Sequence, residues 1–391
     1  MRILIVAPRV PWPPVDGGRV AMARLAESFS REGGDVEVLS LNPRKHRVAG
    51  DRPLPVETIE IDTSRTLGPA IRAMTSKVPF IVARFESAGL RSALRKALSR
   101  FKPDVVQIES PFMLPYASLV RAESRARVVL RSLNVEFRIW EQLAQREKNP
   151  LRRLALRRLA RSLRHYEARE MNRLDAIVPI SDGDAADFRS LGVTAPMHVV
   201  PCGVPVPENR SDDSRAGTVG FIGSLDFLPN QDAARWILDE LWPRIAAAAP
   251  DATLSIAGSS PPSWLAMHAR ERGIELKSNV PDAAAFVRSQ SVFIAPLFAG
   301  GGMRIKVVEA MALGKAVVAT TIGAGGIAIR PGVDIVIADD ADAFASAVVR
   351  LLRDPAERTR LGAAARQTVV KTYDSDALAR GLLRFYDEVN G

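Results

Sequence analysis

Apolar positions along this chain fall into short, nearly unbroken runs, separated by longer stretches in which they recur every three or four residues. That alternation is the rhythm of parallel strands joined by crossover helices. In the first half the runs predict strands at 3–7, 36–41, 57–61, 105–109, 128–131, 176–180 and 198–200. In the second half they predict strands at 219–223, 253–257, 292–296, 316–320 and 334–338. Helical periodicity fills the gaps, for example at 149–173, 232–249, 342–352 and 376–389. With 391 residues the chain exceeds what one core usually serves. The polar, proline-bearing stretch at 205–217 reads as a linker between a first domain at 1–204 and a second at 218–374, with a helix at 375–391 after them. The fold class is therefore α/β, two Rossmann-like doubly wound domains. Open α/β sheets bind ligands at the carboxyl ends of their strands, so the sequence predicts a site in a cleft that the two domains face.

The segment from Ala295 to Thr320, APLFAGGGMRIKVVEAMALGKAVVAT, carries the densest chemistry. It runs from an apolar strand through Gly300, Gly301 and Gly302 into a helix holding Glu309. The first helical N–H groups have no partners within the helix and point at whatever approaches. Three residues without Cβ let a ligand come up to the backbone. A carboxylate inside the same helix suits neutral hydroxyls. Lys306 and Glu309 are three apart, and the bland reading is an exposed pair worth about 0.2–0.5 kcal/mol. The apolar setting of IKVVEAMAL, just after a triple glycine, favours ligand binding. The segment predicts a site for phosphates with hydroxyls beside them, as in a nucleotide sugar.

Other constellations are weaker. Asp16-Gly17-Gly18 precedes a helix and either touches a diphosphate or acceptor, or is a plain βα turn. In RSLNVEFRIW, Asn134 and Glu136 follow a strand and either bind sugar hydroxyls or cap the next helix. In FIGSLDFLPNQDAARW, Asn230 or Asp232 stands at a helix entrance, as N-cap or as a ligand-facing group. The arginine-rich helix at 149–173 has Leu151, Leu154, Leu159 and Leu163 as an apolar stripe. We expect the stripe to pack on its own sheet; the alternative is a platform on an anionic membrane leaflet, each basic side chain worth about 1 kcal/mol there.

Composition narrows the partners. Cys202 is the only cysteine, and His46, His165, His198 and His268 are scattered without ligand spacing, so no metal and no cofactor is expected. The net charge is +10 and the pI about 10.1, which permits an anionic partner without choosing one. No aromatic interleaving accompanies the arginines, so nucleic acid is not expected. No apolar run approaches the roughly 20 residues that span a bilayer, and the first residues read as a strand rather than a signal segment. The expectation is a cytoplasmic protein, peripheral at the inner membrane face if the basic helix docks there.

With these residues assembled, the chain resembles family 4 of the GT-B-fold glycosyltransferases, retaining enzymes that use nucleotide-sugar donors. The likeness runs through FIGSLDFLPN, PLFAGGGMRIKVVEAMALGKAVVAT and the helical tail. It implies a donor site mainly on the second domain, an acceptor site on the first, and a final helix that returns toward the first domain. The family motif has two glutamates eight apart, one touching the donor sugar and the other the ribose. Glu309 matches the second, while the first falls on Gly301, leaving sugar contacts to the backbone of Gly301, Gly302 and Met303. An arginine and a lysine that grip the diphosphate in the family correspond to Ser224 and Asn230. The resemblance thus leaves the diphosphate charge to Arg304, Lys306 and the helix dipole, in the manner of a GGGxRxK subgroup. Where relatives often carry HNVE, this chain has Leu133-Asn134-Val135-Glu136, and Glu109 and Asn134 are the nearest substitutes for the missing histidine.

The activity implied is transfer of a sugar from a nucleoside diphosphate to an acceptor hydroxyl of a glycan or lipid-linked glycan, with retention and without a metal. The growing charge on the departing diphosphate would be met by the helix N-terminus, Arg304 and Lys306. The leucine at 133 motivates a different class, a nucleotide-sugar-binding scaffold without turnover. A nucleotide-sugar epimerase on the same fold is the third reading.

Overall fold

In the computed structural model the described residues are 1–14, 16–44, 47, 52–64, 78–207, 213–299 and 302–391. The chain divides into two units, Met1–Gly203 with Asp376–Gly391, and Val204–Ser375. Each is described by itself.

Unit 1 is organised by β1 (Arg2–Ala7), whose sequence RILIVA is buried from its second residue onward. A strand apolar on both faces belongs in the middle of a parallel sheet covered by helices. It pairs on one side with β2 (Asp35–Pro43), Ile3 opposite Val36, and on the other with β4 (Val105–Glu109), Ile3 opposite Val105. With β3 (Val56–Ile61), β5 (Arg127–Ser132) and β6 (Ala176–Pro179) the order is β3-β2-β1-β4-β5-β6, all parallel. This is the doubly wound order, and its direction reverses between β1 and β4. Helix α1 (Gly17–Arg31) follows β1. Helices α2 (Glu136–Arg146) and α3 (Pro150–Met171) follow β5 and pack along one another. The expected strand at 198–200 does not form. Proline at 196 and 201 interrupts the ladder, and the segment only lies beside β6 through bonds such as Val200 N–H to the Pro179 carbonyl, 2.9 Å.

Unit 2 repeats the order: β12-β11-β10-β7-β8-β9, parallel throughout. Here β7 (Thr218–Ile222) and β10 (Val292–Ala295) flank the reversal, with Val292 opposite Val219. Next to β7 stand β8 (Thr253–Gly258) and β9 (Glu275–Ser278), and next to β10 stand β11 (Ala316–Ala319) and β12 (Val336–Ile337). Strand β9, ELKS, was not expected; as an edge strand it keeps polar residues and lacks the apolar run that marks its neighbours. The helix expected at 232–249 begins earlier, as α4 (Leu228–Trp236), and passes through a π-helical turn at Ile237–Leu241 before continuing to Ala248. Pro243 has no N–H for the regular ladder, which accounts for the disturbance. Helix α5 (Ile305–Ala312) follows β10. The polar stretch expected as a linker begins inside this unit, because Val204 is buried and exchanges backbone bonds with Tyr373 and Ser375. Helix α6 (Ser375–Asn390) buries Ala379, Leu382 and Tyr386 in the core of unit 1 with Ile3, Ile5 and Phe29.

Candidate functional site

At the reversal of unit 2, β7 and β10 part and their following loops diverge, which leaves a crevice at their carboxyl ends. Lys306, the second residue of α5, reaches back into it. Its Nζ donates to the carbonyl of Ile222, the last residue of β7, at 3.0 Å, and to Asn230 Oδ1 at 2.8 Å. The ammonium also stands 4.3 Å from the centre of the Phe221 ring, a cation–π arrangement. Asn230 is buried and donates its Nδ2 to the Ser224 carbonyl at 2.8 Å. Ser224, Asn230 and Lys306 therefore form one polar knot. Lys306 reaches across the crevice rather than along its own helix toward Glu309, which removes the bland i,i+3 reading. It brings a cation to position 230, where the resembling family carries lysine. Burial first, and the charge of Arg304 second, pull Lys306 down to about 7.

The glycine loop lies beside this knot. Gly300 and Gly301 are outside the described residues. Gly302 is exposed and left-handed, φ +72°, a conformation that glycine adopts without strain. Met303 is half-buried against the unit core. Arg304 occupies the N-cap position, donates from Nη1 to the Gly302 carbonyl at 3.0 Å, and has its pKa drawn down by burial. Among the described residues no side chain caps α5, so its first turn keeps its anion-binding character. Gly326, φ +76°, backs the loop from behind: a Cβ there would come within 3.1 Å of Met303 Cα. Glu309 is half-buried on α5, just over one turn from its start.

The candidate residues of unit 1 gather at its own reversal. Asp16 is the N-cap of α1, its Oδ1 accepting from Arg19 N–H at 3.0 Å, and Arg9 stands 3.6 Å from it. Gly17 opens α1, and a Cβ on Gly18 would lie 3.9 Å from Leu133 Cδ1, so Leu133 faces the start of that helix. Asn134 is exposed and is not the helix cap. Val135 takes that position in α2. The capping carboxylate comes instead from α3: Glu167 accepts from the N–H groups of Glu136 and Phe137 at 3.2 and 3.3 Å. Burial raises Glu136 to about 7, against the opposing charge of Arg9, and raises Glu167 to about 8.

Glu109 is placed differently from its sequence expectation. It is 1% exposed and ion-paired to the equally buried Arg131 at 3.3 Å, with Gln107 donating to it at 2.6 Å. A carboxylate enclosed and occupied in this way holds the sheet together, and its position argues against a catalytic role. Arg9, Arg131 and Glu167 were missed by sequence reasoning. Glu167 had a signal, since it lies four and seven residues from the buried Leu163 and Ala160 on one helix face.

Two doubly wound units, the second with a cationic crevice at its reversal, define the GT-B class of architecture. Comparison with known proteins agrees. The description Glycosyltransferase Family 4 matches residues 15–207, and Glycosyl transferases group 1 matches residues 216–354. The chain belongs to these glycosyltransferases, family 4 in its first half and group 1 in its second. An uncharacterized 44.6 kDa protein in the cps region of Klebsiella pneumoniae is 25% identical over 96% of this chain and 97% of its own. A phosphatidyl-myo-inositol mannosyltransferase of Mycolicibacterium smegmatis is 33% identical over 44% of this chain and 46% of its own. Among solved structures, Anabaena Alr3699/HepE in complex with UDP superposes with a TM-score of 0.67 at 14% identity, covering 99% of this chain and 100% of that one.

Proposed function

We propose that this glycosyltransferase takes its sugar from a nucleoside diphosphate held by unit 2 and transfers it, with retention and without a metal, to an acceptor hydroxyl bound by unit 1. The observation that carries the donor reading is the Lys306 ammonium at the carboxyl ends of β7 and β10, beside the start of an uncapped helix. A diphosphate there meets Lys306, Arg304 and the first N–H groups of α5, donors suited to the charge that grows as the glycosidic bond breaks. Glu309 is assigned to the ribose, and the backbone of Gly302 and Met303 to the sugar. The UDP in the Anabaena structure supports a nucleotide donor. The mannosyltransferase name and the cps location of the two relatives support an acceptor in glycolipid or polysaccharide synthesis.

The test is calorimetry with UDP and GDP, followed by a nucleotide-sugar panel with the anomer of the product read by NMR, with and without EDTA. Lys306→Ala is expected to weaken nucleoside diphosphate binding by roughly 10- to 100-fold, the value of charge-assisted hydrogen bonds. Arg304→Ala should affect diphosphates far more than nucleosides, and Glu309→Ala should affect both. Wild-type affinity in all three variants sinks the site assignment. Leu133 beside Gly18 favours one second reading, a donor-binding subunit without turnover; saturable binding with neither transfer nor hydrolysis would establish it.

A further inference from the structure

The loop that follows β11, Thr320 to Arg330, backs the donor loop of unit 2 from behind. A Cβ added to Gly326 would come within 3.1 Å of Met303 Cα and 3.2 Å of the Gly302 carbonyl. Backbone therefore lies on backbone there, under the two residues assigned to the donor sugar. Ile327 is buried in one apolar cluster with Val204 and Tyr373, and Met303 packs on the same cluster. One residue further on, the Ala328 N–H donates to the Tyr373 hydroxyl at 2.7 Å.

Tyr373 closes the helix Pro355–Thr372, its N–H donating to the Val369 carbonyl. It is 3% exposed, and its two ends have different partners. The hydroxyl holds the loop. The backbone carbonyl accepts from Val204 N–H at 2.8 Å, and the Val204 carbonyl accepts from Ser375 N–H at 3.1 Å. Val204 and Ser375 are the first and last residues of unit 2. One side chain and its own carbonyl thus bond both the loop behind the donor site and the two segments by which the chain enters and leaves that unit. A phenylalanine would fill the same space in the cluster, so the hydroxyl adds only the bond to the loop.

We infer that Tyr373 is a positioning residue for the donor, which passes the occupancy of the Gly302–Met303 backbone through this loop to the bonds at Val204 and Ser375. The inference rests on the donor reading given above. A nucleotide that fixes the Gly302–Met303 backbone fixes the loop resting on it, and the far anchor is then ordered at lower entropic cost. Such coupling is a free energy between two places, so it is read at the second while the ligand binds at the first.

The test is hydrogen exchange by mass spectrometry on the full chain, free and saturated with whichever of UDP and GDP binds by calorimetry. In the wild type the nucleotide should slow exchange in peptides holding the Val204 and Ser375 amides by roughly fivefold or more, the lower end of measured couplings. Tyr373→Phe should bind the nucleotide roughly 2- to 10-fold more weakly, the value of one neutral hydrogen bond. Once saturated, it should show no slowing in those peptides. The loop keeps a second anchor in Asp334, which accepts from Arg330 N–H at 2.7 Å and from the Thr368 hydroxyl at 2.8 Å, so this variant does not set it free. A merely structural hydroxyl would speed exchange equally with and without nucleotide and leave the ratio intact; that result overturns the inference. Gly326→Ala leaves Tyr373 untouched and crowds Met303 instead, and it decides the matter if Tyr373→Phe proves unstable. It should keep wild-type exchange at Val204 and Ser375 in the free protein and lose the slowing on saturation; retained slowing overturns the coupling. Binding without slowing in the wild type overturns this inference alone. No binding of either nucleotide overturns the donor reading, and this inference with it.

Discussion

An ammonium group held against Phe221 and two neutral oxygens has lost much of its hydration without gaining a counter-charge. That is why Lys306 is drawn down to about 7, and why it is suited to a dianion that supplies the missing charge. A diphosphate bound there, as proposed, would raise it again, so binding and proton uptake would be linked. We predict that near pH 8 up to one proton is taken up per nucleoside diphosphate bound. The affinity should fall as pH rises above 7, by up to about tenfold per pH unit until the liganded lysine also titrates. Calorimetry in buffers of different ionisation enthalpy measures the uptake, and Lys306→Met should abolish it. None of this was legible in the sequence. Lys306 is three residues from Glu309 and six from Ala312, and nothing local says that its side chain leaves the helix for Asn230, which lies 76 residues earlier. What could be read, through the family resemblance, was the need for a substitute cation at Ser224 and Asn230 and its assignment to Arg304 and Lys306; the path of the side chain could not.

The α2–α3 pair shows how an element is held by a group from another. The N-terminus of α2 has no side-chain cap of its own, and Glu167 supplies the acceptors from within α3. Both Glu167 and Glu136 have folded-state pKa values above the ordinary carboxylate range. The folded protein therefore binds these protons more tightly than the unfolded chain does. Their contribution to stability is full below about pH 4.5 and is lost as pH rises through about 7 to 8. Between pH 5 and 8 we expect denaturant-measured stability to fall by an amount on the order of 1–3 kcal/mol. Glu167→Gln keeps a carbonyl acceptor and should flatten that slope; an unchanged slope would contradict the assignment. Strands with continuous apolar runs and helices with clear period were legible, including Asn149 at the start of α3, whose side chain accepts from Leu151 and Arg152 N–H. The polar edge strand Glu275–Ser278 was not, because its side chains obey edge exposure rather than burial. The leucine stripe was half right: Leu163 is buried and Leu159 packs on the core, while Leu151 and Leu154 are exposed, because spacing puts residues on one face but does not say how far along the helix that face stays covered.

At the scale of the whole molecule, the alternation of strand and helix sufficed for two doubly wound sheets, since parallel strands need crossovers and the order β3-β2-β1-β4-β5-β6 is the common solution. The polar line inside unit 1 was not legible: Tyr386 of α6 donates to Gln107 at 2.6 Å, Gln107 to Glu109, and Arg131 to Glu109 and to the Ala21 carbonyl. Its longest single step, Tyr386 to Gln107, joins positions 279 residues apart. Tyr386→Phe, which keeps the ring and strips one buried bond, should lower stability by about 1–3 kcal/mol, read by denaturant titration with nucleotide-binding affinity unchanged. The same helix has a consequence for synthesis. Apolar residues of unit 1 such as Ile5, Phe29 and Val36 share a cluster with Ala379, Leu382 and Tyr386, and all of Val204–Ser375 is translated before those three side chains exist. At about 5–20 residues per second, a nascent unit 1 waits on the order of ten to thirty seconds with that cluster incomplete. For that interval the ribosome-bound chain presents an apolar face that a chaperone can recognise.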